Sequence, residues 1–293
     1  MHRITLSVCA VSLLVACGTN NDPEAPEPEA PAADAPAPEA PAAPTSSSTD
    51  AADVQWEPLN PEQPDGPSWV VLEGDPTQGP FTMMAKLGAG FETPLHKHPS
   101  TFTGVVISGE VSHGPSKDAA KVIAPGTLWT EHANEAHVTA CVGDEDCIFV
   151  GRMDGPMAMT PVETPDETPS ASVVAAADIE YTPVNPEQPE GPGMAVLSGD
   201  QTQGAFVALA RFPGGLSTPE HVHSAGYVGV VISGQIQDGE GAAKTPGSHW
   251  NNAAGQPHQT SCVEGEDCVF FVSMDGAMDM TPVADAGAAP NAE

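Results

Sequence analysis

The apolar residues of this chain occur in short runs that are bounded by Gly, Pro, Asp and Asn. Residues 206–212, 229–232 and 268–272 are rich in Val, Phe and Ile, which favours β-strands. No window shows a helical period of apolar residues over a useful length. Many short strands with turns every eight to twelve residues or so are typical of an all-β sandwich or barrel.

This pattern occurs twice along the chain. Residues 59–64 have the sequence LNPEQP and residues 184–189 have VNPEQP, while GVVISG occurs at both 104–109 and 229–234. The repeat is too long for a solenoid unit, so the sequence predicts a duplicated domain. We expect domain 1 at 54–162, a linker at 163–177, domain 2 at 178–283 and a disordered tail at 284–293.

The N-terminus has the features of an export signal. Arg3 is followed by an apolar run at 4–16, which is too short to span a bilayer comfortably. The run ends in Leu-Val-Ala-Cys, which resembles the lipobox of bacterial lipoproteins and implies a signal peptide at 1–16 and a lipid on Cys17. The alternative is an ordinary secretory signal that happens to contain a cysteine. Gly18 follows, which would favour the outer membrane of a two-membrane bacterium.

Charge and composition narrow the possible partners. Beyond Cys17, residues up to 53 are mostly Pro, Ala, Glu, Asp and Ser, so we expect a disordered tether at 17–53. The 293-residue chain has a formal net charge of −32. This acidic excess argues against nucleic acid as a partner, since phosphate backbones attract basic surfaces. The membrane contact that we expect is the lipid on Cys17, which would place the protein at the bacterial cell envelope.

Each repeat carries a His-x-His pair, His96 and His98 in the first and His221 and His223 in the second. Residues i and i+2 of a strand point to the same face, with Cα atoms about 6.6 Å apart. Two imidazoles at that spacing can bind one metal ion at about 2.0–2.1 Å. Taken alone, either pair is equally compatible with two exposed histidines.

The order of glycines and histidines resembles the two sequence motifs of the cupin superfamily. Motif one is matched by Gly90 and Gly109 around the first pair, and by Gly215 and Gly234 around the second. The motif-two histidine is matched by His137 after Gly126 and by His258 after Gly247 and Gly255. The resemblance covers nearly all of both domains. It implies a bicupin: two tandem double-stranded β-helix, or jelly-roll, barrels.

The sequence departs from the motifs at several positions. Phe102 and Tyr227 stand where motif one has a glutamate. In motif two of the first repeat, His132 replaces the proline and Asn134 a glycine, although Asn tolerates the left-handed conformation such a turn needs. Ala253 replaces the proline in the second repeat. Tyr227 could ligate the metal, hydrogen-bond to a bound ligand, or only pack. Packing is favoured, because the equivalent position in the first repeat holds Phe102.

The resemblance therefore implies three neutral imidazoles as ligands in each domain, with positions left for water or substrate. Such a set suits Fe, Zn, Mn, Ni or Cu, and the sequence does not choose among them. The expected ligands are His96, His98, His137, His221, His223 and His258.

Four of the six cysteines form two pairs of identical spacing, Cys141 with Cys147 and Cys262 with Cys268. Each pair flanks an acidic, turn-like segment between apolar strands. In an oxidising compartment this arrangement favours a disulfide. The alternative is a thiolate metal ligand, because Cys141 and Cys262 lie four residues after the third histidine.

Other matched residues allow weaker interpretations. Lys86 and Arg211 either face the barrel interior and bind an anion or, as we favour, pair with local acids at the surface. Trp129 and Trp250 are expected to form barrel walls. The three histidines without a counterpart are expected at the surface or in loops: His113, His132 and His249.

Two classes of function fit these observations, and the catalytic residues remain unassigned. One is a metal-dependent enzyme acting on a small molecule, similar to the three-histidine cupins that are non-haem iron dioxygenases. The other is a non-catalytic metal- or ligand-binding envelope lipoprotein, similar to the zinc-binding cupin domains of ChrR-like anti-sigma factors. A purely structural stalk is disfavoured, because structure alone does not require matching histidine triads.

Overall fold

The computed structural model describes residues 45–166, 171–239 and 241–283. These residues form twenty-three β-strands and three short 3-10 helices, so the all-β prediction is confirmed. The expected signal peptide, Cys17, most of the tether and the tail lie outside the described residues. Within the described part, no helix has the length and apolar character needed to cross a membrane.

The strands of domain 1 follow a single strand, β1 (Ser47–Thr49), and the 3-10 helix Ala51–Asp53. A second 3-10 helix, Lys117–Ala119, lies between β7 and β8. The strands of the domain are β2 (Glu57–Pro58), β3 (Ser68–Gly74), β4 (Phe81–Leu87), β5 (His96–Lys97), β6 (Phe102–Ser108), β7 (Val111–Gly114), β8 (Lys121–Ile123), β9 (Leu128–Glu131), β10 (Val138–Cys141), β11 (Cys147–Met153) and β12 (Thr160–Pro161).

Domain 2 follows in the same order, after β13 (Ser172–Val174) and the 3-10 helix Ala176–Asp178. The three strands predicted here from composition are present, at Phe206–Phe212, Tyr227–Ser233 and Cys268–Met274. The strands of the domain are β14 (Thr182–Pro183), β15 (Gly193–Gly199), β16 (Phe206–Phe212), β17 (His221–Val222), β18 (Tyr227–Ser233), β19 (Ile236–Asp238), β20 (His249–Asn252), β21 (Thr260–Cys262), β22 (Cys268–Met274) and β23 (Thr281–Pro282).

Each domain is built on one large antiparallel sheet and two smaller ones. The large sheets have the orders β13-β9-β6-β11-β4-β3-β2 and β1-β20-β18-β22-β16-β15-β14. The small sheets are β10-β7-β8 and β12-β5 in domain 1, and β19-β21 and β17-β23 in domain 2. One face of each large sheet packs against the smaller sheets of its own domain around a core that contains the buried Trp129 or Trp250.

The other faces of the two large sheets pack against each other. Leu209 and Phe271 of domain 2 lie in the same buried cluster as Met84, Val105 and Val150 of domain 1. Because both faces of these strands are buried, their sequences are nearly continuous apolar runs rather than alternating ones. The inter-domain contact is therefore a hydrophobic core of its own.

Two short strands cross between the domains. β1, which precedes domain 1, pairs with β20 of domain 2, and β13, which precedes domain 2, pairs with β9 of domain 1. The β1 segment is also held by Lys244, whose Nζ lies 3.2 Å from Oδ1 of Asp50, and by the Ala51 N–H, which donates to Ser248 Oγ at 3.0 Å. The expectation of disorder as far as residue 53 is therefore wrong for residues 47–53. Backbone pairing along a sheet edge needs no apolar side chains, so composition did not reveal it.

Both predicted disulfides are present, Cys141–Cys147 and Cys262–Cys268. Each joins the end of one strand to the start of the next strand in the chain, which belongs to a different sheet of the same domain. Since the sulfur atoms are bonded to each other, the alternative role of Cys141 and Cys262 as thiolate ligands is excluded in this structure.

Candidate metal centres

Two short strands carry the His-x-His pairs. β5 begins at His96 and pairs with β12, while β17 begins at His221 and pairs with β23. His96 and His137 exchange both backbone hydrogen bonds, at 3.0 and 2.8 Å, and His221 and His258 do the same at 2.9 Å each. This cross-strand contact places a distant third histidine directly beside each pair.

The ring nitrogens of each histidine triad converge. In each domain the three candidate ligand atoms lie within 4.8 Å of one another, so the group could hold a metal ion. Nε2 of His96 is only 3.2 Å from Nε2 of His98. The two groups contain all six residues expected from the sequence: His96, His98 and His137 in domain 1, and His221, His223 and His258 in domain 2.

Hydrogen bonds on the far side of each ring determine which nitrogen faces the centre. Nδ1 of His96 donates to the carbonyl of Pro94 at 2.8 Å, and Nδ1 of His137 donates to the carbonyl of Glu135 at 3.0 Å. The other four rings use the carbonyls of Ala158 (for His98), Pro219 (His221), Asp279 (His223) and Gln256 (His258). An Nδ1–H donor leaves Nε2 with a free lone pair, as metal-binding histidines require.

Burial favours the neutral form of four triad imidazoles. It lowers the pKa of His96 to about 4, with a further contribution from the nearby His137. Burial is also the main cause that lowers the pKa of His98, His221 and His223. Since only a neutral imidazole can bind a metal, these rings are available as ligands at neutral pH.

A carboxylate that the sequence analysis missed lies beside the domain 1 triad. Glu131, at the end of β9, has its Oε2 3.3 Å from Nε2 of His137, and its Oε1 accepts a 3.0 Å hydrogen bond from the Trp129 indole. Burial would raise the pKa of Glu131, but His137, His113 and His98 stabilise its carboxylate and hold the pKa below the ordinary value. The period-two spacing of Trp129 and Glu131 on one strand was the signal that could have indicated it.

In domain 2 a phenol occupies the corresponding place. The Tyr227 hydroxyl lies 3.2 Å from Nε2 of His258 and accepts hydrogen bonds from Asn252 at 2.8 Å and Trp250 at 3.3 Å. The side chain is buried, which raises the pKa of the phenol above its ordinary value. The expectation that Tyr227 only packs is therefore wrong, because its hydroxyl makes polar contacts beside the triad.

The histidines without a counterpart behave differently from one another. His132 is exposed as expected, and His249 is half-buried on β20. His113 is buried inside domain 1, where its Nδ1 lies 3.1 Å from Thr139 Oγ1 and 3.4 Å from Glu131 Oε1. The surface or loop assignment of His113 is therefore wrong.

An aspartate takes the place of His113 in the other domain. By register, the residue of domain 2 that corresponds to His113 is Asp238. It accepts hydrogen bonds from Asn252 at 3.0 Å and from Thr260 at 2.8 Å. The surroundings of the two triads thus differ at this position as well.

The matched tryptophans and the matched basic residues lie on opposite sides of the large sheets. The Trp129 and Trp250 rings are buried barrel walls, as expected. Lys86 and Arg211 do not face the barrel interiors, because they alternate with the interior residues of β4 and β16. The interior anion-binding hypothesis is therefore wrong for both residues.

Both basic side chains lie over aromatic rings instead. Lys86 lies over the Trp56 ring at 5.2 Å and Arg211 over the Tyr181 ring at 5.1 Å. The favoured pairing with local acids is weak for Arg211, whose Nε lies 3.9 Å from Oδ2 of Asp267. Contact between a cation and an aromatic face is thus the interaction that the two positions share.

The Asn134 turn in motif two is preserved. Asn134 has φ of 64°, in the left-handed region, and Gly255 at the corresponding turn of domain 2 has φ of 73°. The N–H groups of both residues donate to the carbonyl of the second histidine of the pair, His98 or His223. The same turn thus supports both triads.

The two jelly-roll barrels and their histidine triads define a duplicated cupin. Comparison with family models agrees, because residues 169–277 match the ChrR cupin-like domain and residues 24–160 match a domain of unknown function, DUF4437. The chain belongs to the cupin superfamily and is a bicupin with two candidate metal centres.

Solved structures with the same fold lie at low sequence identity. A candidate dioxygenase from Nostoc punctiforme is 13% identical, with a TM-score of 0.63 over 82% of this chain and 87% of that one. A candidate glyoxylate-induced protein from Pseudomonas aeruginosa is 15% identical, with a TM-score of 0.54 over 85% and 96%. Oxalate decarboxylase from Lactobacillus farciminis is 12% identical, with a TM-score of 0.51 over 84% and 90%. No curated protein matches the chain significantly.

Proposed function

We propose that this bicupin is a metal-dependent enzyme of the dioxygenase type, which acts on a small molecule and holds one transition-metal ion on each histidine triad. The observation that carries the proposal is the orientation of the six rings. All six Nδ1 atoms donate to backbone carbonyls, so that the Nε2 lone pairs face a common point in each domain.

A tetrahedral zinc ion that serves only folding is closed by four side chains, whereas a catalytic metal site leaves positions for substrate. Three imidazoles in each domain leave such positions. When bound, a redox-active ion such as Fe(II) would supply the chemistry of joining a small substrate to oxygen.

The residues around the triads do what such a reaction requires of a protein. The carbonyls of Pro94 and Pro219 fix the orientation of His96 and His221. The buried indole rings of domain 1 and domain 2 exclude water on the inner side of the triads. The candidate dioxygenase among the similar structures supports this class of reaction through the fold alone.

A second candidate function is a non-catalytic metal- or ligand-binding module at the cell envelope. It is supported by the match of residues 169–277 to the ChrR cupin-like domain. This function requires tightly held metal, such as zinc, and no turnover.

Metal analysis of the full chain, purified without a histidine tag, tests both functions. The variants are His221→Ala with His258→Ala, and His96→Ala with His137→Ala. The proposal expects each double variant to lose one metal ion per chain, and the iron-loaded protein to consume oxygen with a small carbonyl substrate. Zinc without turnover would favour the binding module. Full metal content in both double variants would refute the assigned ligands.

We also propose that the protein is exported and anchored to the envelope by a lipid on Cys17. The two disulfides support export, because such bonds persist in oxidising compartments. Fractionation of cells that express the wild type and Cys17→Ser tests this idea. The wild type is expected in the membrane fraction with an acylated N-terminal cysteine. A membrane-bound variant, or an unmodified wild type, would contradict it.

A further inference from the structure

We propose that Glu131 is a fourth protein ligand of the metal in domain 1, which makes the two centres of this chain different in charge and in metal preference. The inference rests on the proposed function, since it requires that the triads hold metal. The resemblance to cupin motifs does not point to Glu131, because the motif-one position is Phe102 and Glu131 lies on a different strand, β9.

The Glu131 carboxylate is directed at the triad. Its Oε1 is held by the Trp129 indole at 3.0 Å, with His113 Nδ1 at 3.4 Å. Its Oε2 is left facing Nε2 of His137 at 3.3 Å. The side chain is only 9% exposed, so water does not readily satisfy that oxygen. One oxygen is therefore held in place and the other is directed at the triad.

In the domain 1 triad, the bonds made by Nδ1 leave acceptor atoms facing one another. Nδ1 of His96, His98 and His137 carries the proton that is donated to a carbonyl, so each Nε2 offers a lone pair. Nε2 of His96 and Nε2 of His98 are 3.2 Å apart, and Oε2 of Glu131 adds a carboxylate oxygen to the same group. A metal ion placed between these atoms would bind all of them at once.

Domain 2 has an oxygen at the equivalent place. In the antiparallel ladder Phe102 lies opposite Glu131, and the matching positions in domain 2 hold Tyr227 opposite Asn252. Both pairs place one oxygen beside Nε2 of the third histidine, at 3.3 Å in domain 1 and 3.2 Å in domain 2. In domain 2 the Trp250 indole donates to the Tyr227 hydroxyl itself. In domain 1 the Trp129 indole donates to Oε1, the other oxygen of the Glu131 carboxylate. The oxygen beside the third histidine thus comes from a carboxylate in domain 1 and from a phenol in domain 2.

The space needed for the carboxylate is created by a glycine. The Phe102 ring lies where a Cβ on Gly151 would be 2.3 Å from it, so only a residue without a side chain fits there. Gly151 lies opposite Gly104 in the neighbouring strand. In domain 2 the residue opposite the matching Gly229 is Val272, so Val272 stands at the position of Gly151. The Phe102 ring therefore lies over Gly104 of β6 and Gly151 of β11, and the residue of the pair that reaches His137 is Glu131.

The difference has a chemical consequence. Three imidazoles and a carboxylate form an anionic site that suits Mn(II) or Fe(II), whereas three imidazoles beside a phenol O–H form a neutral one, to which Zn and Cu are equally suited. Domain 1 should thus retain the harder divalent ions more strongly than domain 2.

Single-site proteins make this testable. In the first, His221→Ala with His258→Ala removes the domain 2 centre, and in the second, His96→Ala with His137→Ala removes the domain 1 centre. Mn(II) binding is followed by the loss of the free-ion electron paramagnetic resonance signal, and Co(II) binding by visible absorption. We then add Glu131→Gln to the first protein, because the amide can still accept the Trp129 hydrogen bond. The matched control is Tyr227→Phe in the second protein.

In the first protein, Glu131→Gln is expected to weaken Mn(II) binding at least about tenfold and to alter the Co(II) spectrum. Glu131→Asp should recover part of the affinity. Equal Mn(II) affinity before and after Glu131→Gln, with an unchanged Co(II) spectrum, would overturn the inference while leaving the triads intact. If neither single-site protein binds metal, the proposed function fails as well. The unfolding temperature of the metal-free protein is compared with and without Glu131→Gln. Equal temperatures establish that a loss of Mn(II) affinity is local and does not come from a failure to fold.

Discussion

Ser273 of domain 2 donates a 2.7 Å hydrogen bond from its Oγ to Oε2 of Glu73 in domain 1. Arg152 Nη1 lies 3.1 Å from the same oxygen, and Thr82 Oγ1 donates to it at 3.1 Å. This polar cluster lies within the otherwise apolar contact between the two large sheets. It fixes one side chain of each domain against the other, and it contains a carboxylate that titrates in an unusual range.

Glu73 makes the stability of the protein depend on pH. Burial, together with the neighbouring Asp275, outweighs the hydrogen bond from Ser273 and raises the pKa of Glu73 to about 7. A raised pKa means that the folded state favours the protonated form. Its contribution is therefore complete below pH 4.5, the ordinary value, and is lost as the pH rises to about 7.

We expect Glu73→Gln to remove this dependence. The wild type should lose at most about 3 kcal/mol relative to the variant between pH 4.5 and 7.5. Chemical unfolding midpoints of metal-free protein, measured at both pH values, provide the comparison. A stability difference between the two proteins that does not change with pH would refute the raised pKa.

Acid should release the metals only at low pH. Protons compete for the imidazoles, but burial lowers the pKa of His96 to about 4 and lowers those of His98, His221 and His223 as well. We therefore expect metal to be retained below about pH 6, the range in which an ordinary imidazole would begin to release it. Dialysis at stepped pH followed by metal analysis measures the release. Half-release at or above pH 6 would contradict the effect of burial.

Each disulfide should add modestly to stability. The cysteines of each pair are separated by six positions, so the closed loop is short and the entropic gain on cross-linking is about 2 kcal/mol. The variant Cys262→Ser with Cys268→Ser should therefore unfold at a lower denaturant concentration than the wild type. The corresponding change at Cys141 and Cys147 is the matched control and should have a similar effect. No change in either variant would show that the bridges leave the free energy of unfolding unaffected.

The two domains should not fold as independent monomers. A fragment of residues 171–283 would expose Leu209, Phe271 and the rest of the inter-domain cluster and would lose β1. We expect this fragment, and likewise residues 45–166, to aggregate when expressed alone. Expressed together, they should form a one-to-one complex. Size-exclusion chromatography with light scattering distinguishes the outcomes, and two stable monomers would contradict the expectation.

The fold and the triads could be predicted because they depend on local and repeated patterns. The spacing of His221 and His223 on a strand determines that both rings share a face. The second copy of the same spacing, at His96 and His98, argued against chance. The pairing of His96 with His137 was accessible only through the resemblance to cupin motifs, because no local pattern specifies which distant strand lies opposite.

The remaining features depend on contacts between strands that are distant in sequence. Glu131 became visible only when its partner in the ladder, Phe102, and the corresponding Tyr227 and Asn252 were known. His113 was misplaced because its counterpart is an aspartate rather than a histidine. The crossing strand Ser47–Thr49 contributes backbone hydrogen bonds to the edge of β20, and its polar sequence resembles that of the segment before it.

The exchange of β1 and β13 has the form of a symmetric pair of protomers that trade their first strands, joined here into one polypeptide. Before the duplication, an ancestor with this fold would have needed two copies of itself to complete its sheets, and both copies would have carried the same residues around the metal. A single chain carries no such constraint. Its two halves can differ around the histidine triads, as the carboxylate of one half and the phenol of the other do.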